Sequence, residues 1–175
     1  MPHINRTFAL VLTVLAIVVA GTLGTRLYMG REAEDRLDEI DVVDFADLAP
    51  EPKTDRFLMC PEAVCNIPAD MTSPVFDVEW ERLRDYWSEV VAHQSHVKLI
   101  SGDGELEKIA YVQHTPILRL PEIVTIEFYP LGEHRSTFAI ESHSRYGIAS
   151  LTGNKPRVLA WVDLLQRVAR QHPAP

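Results

Sequence analysis

The sequence predicts an α+β protein, with a single N-terminal transmembrane helix followed by an antiparallel sheet of about four or five strands packed with two helices. Three observations support this prediction. The chain opens with a long uncharged apolar segment, two later segments carry apolar residues at helical spacing, and several short strand-like segments lie between those two. Because the links between the strands are short, they favour antiparallel neighbours with the helices on one face.

The first predicted element is a membrane anchor. Residues 7–25 form a run of 19 residues without a charge between Arg6 and Arg26. A helix of that length spans about 28 Å, close to the hydrocarbon thickness of a bilayer. A cleaved signal peptide is the alternative, with small residues at Val18 and Ala20 as a cleavage site. The run exceeds the usual apolar core of a signal peptide, so an uncleaved anchor or signal at 1–28 is favoured.

The orientation of this anchor is predicted from two opposing observations. More arginines follow the span than precede it, which by the positive-inside rule places the C-terminal part in the cytoplasm. Long downstream domains, however, translocate largely regardless of charge, and two cysteines in the domain suit an oxidising compartment. We therefore expect a single-pass protein of the cell membrane with its domain on the periplasmic or extracytoplasmic side.

An acidic spacer is predicted at 29–55. Residues 32–55 carry ten carboxylates against Arg36 and Lys53, and Pro50 and Pro52 exclude a continuous helix. A docking strip for a basic partner is one interpretation, but a solvated spacer that holds the domain off the membrane is the simpler one. The globular domain is then expected at 56–171, with a tail at 172–175.

The domain is predicted to contain a helix at each end of its sheet segment. Residues 55–74 have no regular pattern, and Asp77 is the expected N-cap of a helix at 78–92 with Trp80 and Trp87 on its apolar face. Strands are expected at 97–100, 109–114, 124–129 and 137–142, and residues 74–77 are candidates for a place at the sheet edge. The last helix is expected at 155–170, with Asn154 as a candidate cap.

Composition and motifs exclude several function classes. The net charge is −8, from 17 basic and 25 acidic residues, so the chain lacks the basic surface of a nucleic-acid-binding protein. Phosphate-binding loops, the Gly-x-Ser-x-Gly motif and the His-Glu-x-x-His motif are absent. His93 and His96 share a helical face and could together bind a metal, but no third ligand lies nearby in the sequence. Solvated histidines at the end of a helix are therefore the simpler interpretation. We expect no metal and no cofactor.

Cys60 and Cys65 are separated by four residues. A disulfide that closes this short loop is the leading interpretation for a protein outside the cytosol. Half of a zinc site and two free thiols remain alternatives.

A cluster of polar residues leads into the last helix and is the main candidate for a ligand site. Its predicted members are Ser142, Ser144, Arg145, Asn154 and Arg157, with Tyr146 and Gly147 between them. The two guanidiniums and a helix N-terminus could bind a carboxylate or a phosphate. The alternative is a structural network in which the arginines satisfy loop carbonyls.

The same residues carry a family resemblance. The chain resembles a bacterial and plastid family of unknown function, DUF 1499, in three segments. These are Cys60-Pro61 with Cys65 and residues 73–76, then 121–127, and above all 135–147 with Asn154 to Val158. The resemblance covers about residues 56–170 and implies the fold and a membrane-tethered or exported setting, but no established activity. The family usually has an aspartate and a glycine where this chain has Ser150 and Thr152.

The function expected from these observations is that of a non-enzymatic envelope domain, held by residues 7–25, that binds a partner protein or a small apolar or anionic ligand. A hydrolase-like enzyme around Ser144, Arg145 and Arg157, with His143 or His114 as the base, is the alternative. Ser142 and His143 cannot act as a direct pair, because neighbouring strand residues point to opposite faces.

Overall fold

The computed structural model describes residues 6–35, 42–48, 56–102, 107–116, 119–145 and 153–172. It confirms the α+β fold, with an N-terminal apolar helix, a five-stranded antiparallel sheet and two further helices. The elements are α1 (Arg6–Asp35), β1 (Arg56–Met59), α2 (Trp80–Ala92), β2 (Val97–Ser101), β3 (Lys108–His114), β4 (Pro121–Pro130), β5 (Ser136–Ser144) and α3 (Asn154–Gln171).

α1 is a single apolar helix that extends beyond the predicted span. Its segment Arg6–Thr25 has a mean hydropathy of 2.3, and none of it is buried against the rest of the protein. Length and composition therefore allow this helix to cross a membrane, as expected for a single-pass anchor. The helix continues beyond Thr25, the last residue of the predicted uncharged run, and ends at Asp35.

The sheet has the strand order β1-β5-β4-β3-β2. β2 to β5 form the predicted meander, and each of the four predicted strands is present with slightly different ends. β1 was not predicted, because residues 55–74 were expected to be irregular. Its outer edge is held by the next loop, in which the Asp70 carboxylate accepts a hydrogen bond from the Leu58 N–H at 2.8 Å. A strand of only four residues is too short to show a clear alternation of apolar and polar residues in the sequence.

α2 and α3 cover one face of the sheet, as expected. The core beneath them is apolar, and the indole rings of Trp87 and Trp161 pack with their centroids 5.6 Å apart. Burial in this core raises the pKa of Tyr111 to about 12, against the smaller opposing effect of a hydrogen bond with Trp87. The paired tryptophans therefore join the two helices and are core residues.

α2 begins two residues later than predicted, and Asp77 is not its N-cap. The cap position is Glu79, without a side-chain hydrogen bond. Residues 76–78 are instead held against β5: Phe76 bridges Ser136 in antiparallel pairing, and the Ser136 hydroxyl donates to the Val78 carbonyl at 2.8 Å. Of residues 74–77, which were candidates for the sheet edge, Phe76 alone pairs with the sheet, through this isolated bridge, and the same pairing delays the helix.

The other face of the sheet is covered in part by irregular chain. Phe45 and Leu48, which were assigned to the solvated spacer, are buried together with Leu58, Cys60 and Ala139. Phe45 has no solvent exposure, because the segment that contains it packs directly on the sheet. Residues 42–48 therefore belong physically to the domain. Pro50 and Pro52 of the predicted spacer lie outside the described residues.

Cys60 and Cys65 form a disulfide in the structure. The bond closes the loop that directly follows β1. A hydrogen bond from the Cys60 N–H to the Met71 carbonyl, at 3.0 Å, ties the start of this loop to the chain beyond it. The loop covers the outer edge of β1 and packs against the second face of the sheet.

Reduction of this disulfide should lower the free energy of unfolding of the domain by about 2 kcal/mol, the entropy of closing so short a loop. Urea unfolding followed by tryptophan fluorescence measures this change, because all three tryptophans lie in the domain. The Cys60→Ala/Cys65→Ala variant is the control, since its stability should not respond to reductant. Equal stability of reduced and oxidised wild-type protein would contradict the prediction.

Candidate functional site

A row of polar side chains crosses the sheet beneath the N-terminus of α3. Gln113 pairs with Glu122 in the β3–β4 ladder, and Glu122 pairs with Ser144 in the β4–β5 ladder. Paired residues project to the same side, so these three side chains lie on the helix-covered face. Glu122 is fully buried and Ser144 is 6% exposed. The row ends the apolar core at this edge of the domain.

Arg157 of α3 joins this row to the helix. Its Nε donates to Gln113 Oε1 at 2.7 Å, and its Nη1 donates to Ser142 Oγ at 3.0 Å and to Asn154 Oδ1. The Ser142 hydroxyl donates to Asn154 Oδ1 at 2.8 Å. Glu122 Oε2 lies 3.7 Å from Arg157 Nη1, so a buried carboxylate balances the guanidinium. We call these five residues the Arg157 network.

The first turn of α3 positions the two helical members of this network. Gly153, at a φ of +70°, occupies the cap position, and no side chain caps the helix. The prediction of Asn154 as the cap is therefore wrong. Asn154 is the first helical residue, and its side chain turns to Ser142 and Arg157 because that contact satisfies three polar groups away from water.

A cavity of about 320 Å³ lies beside the Arg157 network, between the first turns of α3 and the adjoining ends of β2 and β3. Its walls include His96, Gln113, His114, Arg157 and Trp161, and none of the described lining residues is acidic. A volume near 300 Å³ is at the lower end of the range for small-molecule sites. The cavity therefore combines one apolar wall, the Trp161 indole, with several hydrogen-bonding groups.

Two residues with left-handed backbone lie next to this cavity. His96 has a φ of 61° and Arg119 a φ of 58°, and they are the only non-glycine residues with positive φ in the described part of the chain. Their side chains meet, with Arg119 Nη1 at 2.8 Å from His96 Nδ1. Such conformations cost about 1–3 kcal/mol each and concentrate at functional sites. Neither residue was predicted as part of this site.

The backbone around the two left-handed residues is held by hydrogen bonds. The Arg119 N–H donates to the Thr115 carbonyl at 3.1 Å, and the Leu120 N–H donates to Thr115 Oγ1 at 2.9 Å. On the other side, the His114 N–H donates to the His96 carbonyl at 3.0 Å. Residues 114–115 and 119–120 and the start of β2 are therefore joined by hydrogen bonds.

The structure brings members of the predicted cluster together. Ser142, Asn154 and Arg157 are in direct contact, and Ser144 lies in the adjacent polar row. Arg145 follows the end of β5, where its backbone N–H donates to the Pro121 carbonyl at 3.2 Å. Tyr146, Gly147, Ser150 and Thr152 lie outside the described residues.

Sequence reasoning also missed Gln113 and Glu122. Gln113 lies in the predicted strand 109–114, whereas Glu122 precedes the predicted strand 124–129, and in the structure both project to the face that carries the apolar core. A glutamate buried on this face needs a cationic partner, so a buried Glu122 would have indicated an arginine such as Arg157 nearby.

The two strand histidines project to the same face of the sheet, because His114 pairs with Pro121 and His143 pairs with Ile123, both next to Glu122 of the helix-covered face. His143 lies on the face opposite Ser142 and Ser144, where its Nδ1 is 3.7 Å from the buried Glu141 carboxylate. His114 lines the cavity. His93 ends α2, with its Nδ1 at 2.8 Å from the Glu89 carbonyl. Among the residues that the structure describes, no group of three or more His, Cys, Asp or Glu side chains could hold a metal ion.

Comparison with known proteins adds no further assignment: no family model, no curated protein and no solved structure matches this chain. The resemblance to the DUF 1499 family remains a prediction from the residues that carry it.

Replacement of Arg157 by leucine should destabilise the domain by about 3 kcal/mol or more, because it removes a cation 3.7 Å from the fully buried Glu122 carboxylate. Urea unfolding measures the loss. The matched control is Arg167→Leu, which removes an exposed arginine of the same helix paired with Asp163 and should cost less than about 1 kcal/mol. Similar losses in the two variants would show that the Arg157 network carries little stability.

Proposed function

We propose that this protein is a membrane-tethered envelope domain that binds a small molecule in the cavity beside the Arg157 network. The observation that carries the proposal is the cavity itself, with Arg157 and Gln113 in one wall and Trp161 in another. The Arg157 side chain is only 7% exposed and is fixed by the network. A wall held in this way loses little conformational freedom when a ligand binds.

Two other cavities have fewer features of a ligand site. A larger one of about 540 Å³ lies between residues 74–78 and the C-terminal part of α3. Its charged residues, Asp77 and Arg170, are exposed, and the Asp77 side chain is 95% accessible to solvent. A third, of about 390 Å³, is formed by the disulfide loop itself. Hydrogen-bonding side chains held by a buried network favour the cavity beside Arg157 as the ligand site.

The position of the cavity relative to the anchor supports access from the aqueous side. Residues 42–48, which follow the anchor segment, pack near Tyr129 and Ala139, and Asp44 lies 4.0 Å from Lys108. These contacts are at the end of β4 remote from Pro121, and β4 is about 30 Å long. α1 also contacts β4. The cavity is at the Pro121 end, so we infer that it opens away from the membrane.

We place the domain on the periplasmic or extracytoplasmic side. The Cys60–Cys65 disulfide supports this placement, because structural disulfides persist in oxidising compartments and are rare in the cytosol. The envelope location and the ligand site together make a receptor or carrier role for a soluble small molecule the proposed activity.

A hydrolase-like role has less support. The nucleophile and base of such an enzyme must lie within hydrogen-bond reach of each other. His143 projects from the face of the sheet opposite Ser144, so these neighbours do not form a catalytic pair.

Native mass spectrometry of the full chain, purified from membranes in a mild detergent, tests the proposal. We expect the wild-type protein to carry a copurified small molecule. The Ser95→Trp variant should lose it, because Ser95 is an exposed residue of the cavity wall and a tryptophan there fills the opening.

The control is Ser88→Trp, which places the same bulk on an exposed position of α2 that does not line this cavity. That variant should keep the bound mass. Wild-type protein without a bound small molecule, or a bound mass that survives Ser95→Trp, would contradict the proposal. The second result would locate the ligand elsewhere, for instance on the lipid-facing helix.

A further inference from the structure

The charges around the cavity differ in sign from the charge of the whole protein. The chain has a net charge of −8, yet no acidic residue is found among the described residues that line the cavity. The buried pair of Arg157 and Glu122 is close to neutral as a unit. The balance is therefore set by the groups around that pair.

Those groups are positive. The first turn of α3 has no acidic residue, and its backbone N–H groups carry the positive end of the helix dipole toward this end of the sheet. Arg119 does not line the cavity itself, but it contacts His96 of the cavity wall and brings a full positive charge there. A small molecule in the cavity thus meets an excess of positive charge.

The contact between Arg119 and His96 defines the hydrogen-bonding roles of the two ring nitrogens. A guanidinium has N–H donors and no acceptor, so Nδ1 of His96 is the acceptor in this contact. In the tautomer that accepts this bond, Nε2 is a donor. Arg119 and His96 together present hydrogen-bond donors and one positive charge, a combination that suits an anionic oxygen.

The strained backbone of both residues supports a role beyond folding. Each holds a left-handed conformation that glycine would adopt without strain, and hydrogen bonds of Thr115 and His114 maintain it. The conformations bring the two side chains to 2.8 Å of each other beside the cavity. Glycine at either position would relieve the strain and abolish the contact.

The geometry points to a small molecule with a carboxylate or phosphate group as the ligand of this cavity, with Arg119 as the residue that selects its charge. This inference rests on the proposed function, since it names the class of ligand for the same cavity. Trp161 in the wall offers an apolar surface for the rest of the molecule.

Four probes of similar shape and different charge test the inference by calorimetric titration of the full-length protein in an uncharged detergent. Benzoate and phenyl phosphate are anionic, benzamide is neutral and benzamidine is cationic. We expect one or both anions to bind more tightly than the other two, and the comparison of benzoate with phenyl phosphate identifies the preferred group. Ser95→Trp should abolish the binding.

Arg119→Gln should weaken binding of the preferred anion about tenfold, the loss of one charge-assisted hydrogen bond. The matched control is Arg135→Gln, which removes the same charge from an arginine that is 60% exposed and lies beside Asp77 between β4 and β5. Its affinity should stay within about twofold of wild type, because the two ends of β4 are well beyond a Debye length apart.

The outcomes separate the inference from the proposed function. If benzamide or benzamidine binds as tightly as the anions and Ser95→Trp abolishes that binding, the cavity is a ligand site but the anion preference is wrong. If Arg119→Gln and Arg135→Gln bind the anion equally well, Arg119 does not select charge. If none of the four probes binds, the inference is overturned, and native mass spectrometry decides the proposed function independently.

Discussion

A guanidinium and a carboxylate meet at 3.7 Å where α3 crosses the end of the sheet, and both are almost completely removed from water. Burial of either charge alone would cost several kcal/mol, so Arg157 and Glu122 each require the other in place. Because Glu122 belongs to a central strand and Arg157 to the last helix, this requirement fixes the helix on the sheet at one point. Asn154, Ser142 and Gln113 complete the hydrogen bonding around the pair.

The cavity follows from that arrangement. The apolar core ends at the polar row, and the first turn of α3 is held there by side chains of modest size, which leaves a space of about 320 Å³ between the helix and the ends of β2 and β3. Arg157 serves as a fixed wall of this space, with its charge balanced by Glu122. The group that responds to a ligand is therefore expected to be Arg119, outside the network but joined to the cavity through His96.

Periodicity in the sequence was sufficient to predict the anchor, the meander and both domain helices, because these elements depend on apolar spacing within each segment. Asp77 and Asn154 show where that reasoning fails. Each has the side chain of a helix cap, but tertiary contacts prevent capping: Phe76 pairs with β5 just before α2, and Asn154 turns to Ser142. Two of the five predicted site residues, Arg157 and Asn154, contact each other because they share one helical turn. Glu122 comes from a distant segment, and only the strand register places it near the helix. Arg119 lies outside the strands and reaches the cavity only through its contact with His96.

Arg157 and Glu122 are expected to stabilise the domain as a coupled pair, and a double-mutant cycle measures that coupling. Unfolding free energies of wild type, Arg157→Leu, Glu122→Gln and the double variant give the coupling energy. We expect the double variant to be more stable than the sum of the two single losses implies, by at least about 1.5 kcal/mol, because it leaves no unbalanced buried charge. Losses that add within about 0.5 kcal/mol would show instead that the two charges do not depend on each other.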